Sequence, residues 1–258
     1  AHPYDGTGYA RVEHPHPDPG EAGALKELYA GEVDHWDDYF GRLLVWLEEQ
    51  GLDDNTVVVV TSDHGEEFAE HGGFWHGNRL YDEAIRLPLV IRVPGESPSR
   101  VKDQVRAIDI APTLADLAGA NHGPEWQGFS LRRGYALRKA RDRLALAEAN
   151  FEGFQLRTVR DLEWKLIENL SGPPVSARPD SELYFLSGDP GEQQNLVNDS
   201  GASSFRETKT AELSAMHAAG CGQAVARDAR EADLSPADCE MLRSLGYVDI
   251  AAGLCGGS

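Results

Sequence analysis

The chain has 258 residues, 41% hydrophobic and 26% charged, enough for one large domain or for a core layer with a smaller appendage. A formal net charge of −19 at pH 7 repels nucleic acid and anionic lipid, so neither is an expected partner, and an anionic ester would need a local cation. No apolar run reaches the length of a membrane-spanning helix, and Ala1-His2-Pro3-Tyr4 has neither the basic nor the apolar region of a signal peptide, which leaves periplasmic, secreted and cytoplasmic settings open.

The opening through Gly20 is rich in Pro, Gly and His and reads as loop. From Gly23 to Gln50, Leu25, Tyr29, Val33, Trp36, Phe40, Leu43, Leu44 and Leu47 recur at three- and four-residue steps. That spacing predicts a helix with one apolar stripe facing a core. Gly51 ends it and Asp53-Asp54-Asn55 forms a turn. Thr56 to Thr61 is an unbroken β-branched run, the mark of a strand buried on both faces in a parallel sheet. A second buried strand is expected at Leu87–Val93, and a helix over Ile108–Ala118 with Pro112 in its first turn and Gly119 beyond its end. Helix, turn and buried strand in that order predict an α/β domain. Beyond Leu144, short strands are expected at Leu144–Ala149, Phe154–Arg160, Trp164–Glu168 and Leu183–Phe185 as a small α+β meander, followed by helical segments near Thr208–Ala218 and Pro236–Ser244. The cysteines, Cys221, Cys239 and Cys255, are odd in number and lack CxxC spacing, so neither a disulfide framework nor a zinc knuckle is expected.

Chemistry concentrates in TSDHGEEFAEHGGFWHG, Thr61–Gly77. The segment follows the carboxyl end of the expected strand, where open α/β sheets bind ligands. Asp63 and His64 are adjacent, Gly65 permits a sharp turn, and Glu66, Glu67, Glu70, His71 and His76 follow. A carboxylate and an imidazole at a strand end can hold a divalent cation while a further His faces substrate. The plain alternative is that Asp63 caps a helix and the histidines lie on the surface.

The stretch Asn55–Gly95 resembles the second metal-binding block of bacterial sulfatases, in the alkaline-phosphatase superfamily, which reads approximately TLVVFTSDHGE…EHG…HG…LYEE…RVPLI…PG. VRAIDIAPTLADLAG (Val105–Gly119), WQGFSL (Trp126–Leu131), SELYFLSGDPGEQQNL (Ser181–Leu196) and LSPADCEMLRSLGYV (Leu234–Val248) resemble further family blocks in the same order. The resemblance implies part of a mostly parallel sheet flanked by helices over residues 1–140, a small antiparallel α+β subdomain over 141–200, and a helical or irregular tail over 201–258. By the same resemblance, Asp63 and His64 match the pair that binds a divalent metal, usually calcium, with manganese or zinc as alternatives. His76 matches the residue that contacts the sulfate group or leaving oxygen. His2 matches the histidine of a PHxPY loop that assists the leaving group, with the spacer residue absent here. Glu83 and Arg86 fit an E…R-V-P pattern in which structural ion pairing is expected.

The family's nucleophile motif, C/S-x-P-x-R, does not occur: Cys239-Glu240-Met241-Leu242-Arg243 has Met in place of Pro, and Cys221-Gly222-Gln223-Ala224-Val225 fails at both positions. The leading expectation is the C-terminal half of a metal-dependent sulfuric ester hydrolase, inactive by itself, acting in the intact protein on a small-molecule or glycan sulfate ester. A phosphonate or phosphate ester hydrolase or transferase of the same superfamily is the alternative. A non-catalytic sulfatase-like binding protein is the third reading.

Overall fold

A computed structural model describes residues 18–121, 126–132, 143–151, 154–170 and 179–221. His2 and the helix expected at Pro236–Ser244 lie outside the described residues. A short 3-10 turn, Pro19–Glu21, is closed by a capping box in which Asp18 and Glu21 exchange hydrogen bonds with each other's backbone. It leads into helix α1, Ala22–Glu49, which at 28 residues is about 42 Å long. The apolar stripe forms as the spacing predicts, but the core it was expected to face is largely absent among the described residues. Leu25 and Leu47 are buried, whereas Tyr29, Val33, Trp36 and Leu43 remain about half exposed.

Strand β1, Val58–Thr61, also departs from the expectation of full burial: every residue is partly or fully exposed. The short strands β2, Glu67–Phe68, and β3, Phe74–Trp75, form a hairpin. After them come a single helical turn, α2, Asp82–Ile85, and strand β4, Leu89–Arg92. β4 pairs with β1 antiparallel, in the register Val58↔Arg92 to Thr61↔Leu89, and is β1's only partner among the described residues. The second strand expected to be buried is amphipathic instead, with Val90 at 60% exposure. A strand paired on one edge and covered incompletely on both faces has the composition of an interior strand without its surroundings.

Helix α3, Ile110–Leu117, begins after a 3-10 turn at Ala107–Asp109 and stops before Gly119, whose φ of 67° is the left-handed conformation that closes helices. The remaining strands, β5 (Ala145–Phe151), β6 (Phe154–Arg160), β7 (Trp164–Asn169) and β8 (Ser181–Phe185), make an antiparallel meander in sequence order. Its alternating residues bury both faces. Val159, Leu166 and Leu183 pack against Ala202 and Leu213 of the closing segment, the latter on helix α4, Ser203–Cys221. Leu156, Ile167 and Tyr184 point the other way and pack on Leu80 and Tyr81, which directly precede α2. The meander therefore serves as the platform for the loop that carries the candidate chemistry.

Candidate metal centre and active site

β1 delivers the chain to Ser62 and Asp63 at its carboxyl end. The Asp63 side chain is 74% exposed, and its Oδ1 accepts the His64 backbone N–H at 3.0 Å. Desolvation opposes ionisation, but the backbone N–H groups of Asp63 and His64 and the imidazoles of His64 and His76 outweigh it and hold the carboxyl below the ordinary aspartate range. His64 Nδ1 lies 2.8 Å from the Gly65 carbonyl, to which it donates, so in the neutral ring Nε2 is the nitrogen with the lone pair. That nitrogen is 3.8 Å from Asp63 Oδ2. Gly65 is required by a close approach: a Cβ there would sit 1.9 Å from the Glu83 carbonyl oxygen, and the Gly65 N–H donates to Ala84 at 2.8 Å.

The β2–β3 hairpin returns His76 to the same place. Trp75, just before it, has a φ of 71°, an unusual conformation for a bulky residue. The His76 ring stacks on His64 with centroids 3.7 Å apart, and its Nδ1 lies 3.1 and 3.2 Å from the two Glu66 carboxylate oxygens. A cavity of about 520 Å³ opens beside them, lined by His64, Glu66 and Arg86 on one side and by Tyr29, Val33 and Trp36 of α1 on the other.

Behind this face lies a dense polar network that the sequence spacing does not announce. Glu67 is fully buried, accepts the N–H groups of His71 and Gly73 at 3.0 and 2.8 Å, and pairs with Arg79 at 2.9 Å. Burial pushes its carboxyl above the ordinary range, with Arg79 and the two N–H groups pulling the other way. His71 stacks on Tyr81 and is held at both nitrogens, by Glu83 at 2.6 Å and the Glu192 carbonyl at 3.0 Å. Burial disfavours its charged form, but Glu83 and Glu192 prevail and raise the pKa. Asp82 receives Arg160 and Lys165, and the fully buried Lys165 also pairs with Glu192 at 2.8 Å. Tyr81 and Tyr184 both donate to Glu182.

Two groups of residues are thus candidates for a cation. Ligand atoms of Glu67, His71 and Glu83 lie within 4.8 Å of one another. All three side chains, however, already receive or donate hydrogen bonds within the protein, so this cluster is a buttress. Asp63 and His64 fit a cation better: one offers an ionised, exposed carboxylate and the other an Nε2 that makes no hydrogen bond among the described residues and faces that carboxylate at 3.8 Å. The structure brings Asp63, His64 and His76 together, and His2 falls outside the described residues. The ion pairing expected of Glu83 is present, but its partner is His71, while Arg86 lines the cavity with no ion pair among the described residues.

The sequence matches the Sulfatase family over residues 3–120 and the family described as N-sulphoglucosamine sulphohydrolase, C-terminal, over residues 69–219, more than half of the chain. It is 30% identical to arylsulfatase K of Mus musculus over 189 residues, which cover 68% of this chain and 33% of that protein. A solved structure of a protein in complex with its substrate D-glucosamine-2-N,6-O-disulfate aligns with a TM-score of 0.59 at 28% identity, over 74% of this chain and 39% of that one. The phosphonate monoester hydrolase SpPMH from Silicibacter pomeroyi aligns with a TM-score of 0.65 at 25% identity, over 80% of this chain and 43% of that one. These neighbours share the α/β fold, and the chain spans about a third of the length of its curated relative.

Proposed function

The chain belongs to the sulfatase family, and from that premise we propose that it carries the second metal-binding part of an active site for sulfuric ester hydrolysis. The observation that carries the reading is the trio at the end of β1: Asp63 Oδ2 and His64 Nε2 3.8 Å apart, with His76 stacked beside them. A divalent metal is general in this family. Asp63 and His64 would hold it, with calcium as the assignment; the carboxylate suits calcium, whereas the imidazole suits manganese or zinc equally well. A bound cation there polarises the ester and offsets charge that builds up in the transition state. His76, stacked on His64 and held at Nδ1 by Glu66, is assigned to the sulfate oxygens or the leaving oxygen. His2 is assigned to leaving-group assistance on the sequence resemblance alone.

No C/S-x-P-x-R motif lies within the 258 residues, so attack on sulfur is assigned to a nucleophile outside them. A sulfated sugar is the substrate class favoured by the likeness to the protein solved with a glucosamine disulfate. The likeness to a phosphonate monoester hydrolase supports the second reading, transfer at phosphorus on the same scaffold.

Calorimetric titration of calcium and manganese into the purified chain, with Asp63→Ala as control, tests the metal assignment. Binding is expected in the parent and lost in the variant. Equal binding by both overturns the role given to Asp63, and turnover of an aryl sulfate by the chain alone overturns the placement of the nucleophile.

A further inference from the structure

The three histidines of the loop differ in what their ring nitrogens do. His71 has both occupied, by Glu83 and by the Glu192 carbonyl. His64 has Nδ1 engaged by its neighbour's carbonyl. His76 is held at Nδ1 by Glu66, and no hydrogen-bond partner reaches its Nε2 among the described residues. The Glu66 side chain is 15% exposed, and both its oxygens approach the same nitrogen. Unlike Glu67, which anchors two backbone N–H groups and Arg79, Glu66 has no other partner among the described residues.

We propose that Glu66 is a positioning residue: its carboxylate accepts the Nδ1 proton of His76, fixes the tautomer and ring orientation, and so dictates that Nε2 is the nitrogen presented to the ester. The inference rests on the assignment of His76 to the reaction, yet its test does not depend on activity. An imidazole free in water favours the tautomer protonated at Nε2, and the one protonated at Nδ1 needs a dedicated acceptor. A carboxylate that only filled space would leave the tautomer where water sets it.

Long-range proton–nitrogen correlation spectra of the imidazoles in the 15N-labelled chain, recorded near pH 8.5 where an ordinary imidazole is neutral, read the tautomer directly. The His76 signals are identified by their disappearance in His76→Gln. In the parent chain, His76 is expected to show a protonated Nδ1 and a bare Nε2. Glu66→Ala is expected to reverse the pattern while the His71 signals stay in place. Glu66→Gln, which preserves the shape, is expected to lose the single-tautomer pattern without loss of far-ultraviolet circular dichroism. A parent chain already protonated at Nε2, or variants that leave the His76 pattern unchanged, overturns the proposal. Metal titration of the parent and Asp63→Ala chains does not depend on the tautomer of His76, so a failure of this proposal is distinguishable from a failure of the metal assignment.

Discussion

Gly65 and Asp82 show how much of the site depends on single atoms. Gly65 lies so close to the Glu83 carbonyl that a methyl group would force β1's exit away from α2. Gly65→Ala is expected to destabilise the chain by about 1–3 kcal/mol, the usual cost of overpacking, and to weaken metal binding by displacing Asp63. Urea unfolding and calorimetry measure the two effects separately. Asp82 is partly buried between Arg160 and Lys165. Burial opposes its ionisation, but the two cations prevail and hold the carboxyl below the ordinary aspartate value of 3.8. The folded state therefore binds this proton more weakly than the unfolded chain does. The stabilisation is complete above the unfolded value and is lost as pH falls through the lower, folded one. The urea midpoint of wild type should exceed that of Asp82→Asn at pH 7, and the gap should close progressively below about pH 4. A gap that widens on acidification would contradict the ion-pair origin.

At the scale of elements, the sequence was most legible where one local rule decides. The apolar spacing of α1 predicted its ends to within a residue of Ala22–Glu49, and Pro112 and Gly119 bracketed α3. All four meander strands were expected within a few residues of their observed limits. What stayed illegible was pairing and environment. β1 and β4 both read as buried strands, because a run of Val or Leu reports what a strand is fit to contact, and here those contacts are only partly supplied. The buttress was hidden for a related reason: His71, Lys165 and Glu192 are separated widely along the chain and meet only in the folded structure. The role of DPGEQQNL also emerges at this scale. Asp189 accepts the N–H groups of Gln193 and Gln194, Asn195 accepts those of Leu183 and Val197, and Glu192 reaches Lys165 and the Asp82 N–H. The motif binds the edge of β8 to the loop bearing the candidate site. On the opposite face, Leu213 of α4 is fully buried against Val159, Leu166 and Leu183. Leu213→Ala should cost about 2–5 kcal/mol in urea unfolding, and a cost below ~1 kcal/mol would mean that α4 does not cover the sheet in solution.

For the molecule as a whole, two surface properties act against each other. The charge of −19 opposes association, whereas α1 displays Tyr29, Val33, Trp36, Leu43 and Trp46, each about half exposed, along one long element. A row of this kind exceeds the scattered apolar residues of ordinary surfaces and marks a face suited to a partner or to self-association. Added salt screens the repulsion over a Debye length of about 8 Å at physiological ionic strength and leaves the apolar attraction intact. The chain is therefore expected to self-associate more as salt rises. Val33→Gln together with Trp36→Gln tests the cause, because glutamine preserves helix propensity and net charge while removing apolar area. Sedimentation velocity should show the salt-induced association reduced in the double variant, with unfolding free energy changed by no more than about 0.5 kcal/mol per exposed site. Metal binding is followed separately in this variant, since Val33 and Trp36 line the cavity that His64 also lines. If association persists at the same level, the apolar face of α1 is not its source, and the half-covered strands β1 and β4, with Val90 at 60% exposure, become the surface to alter next.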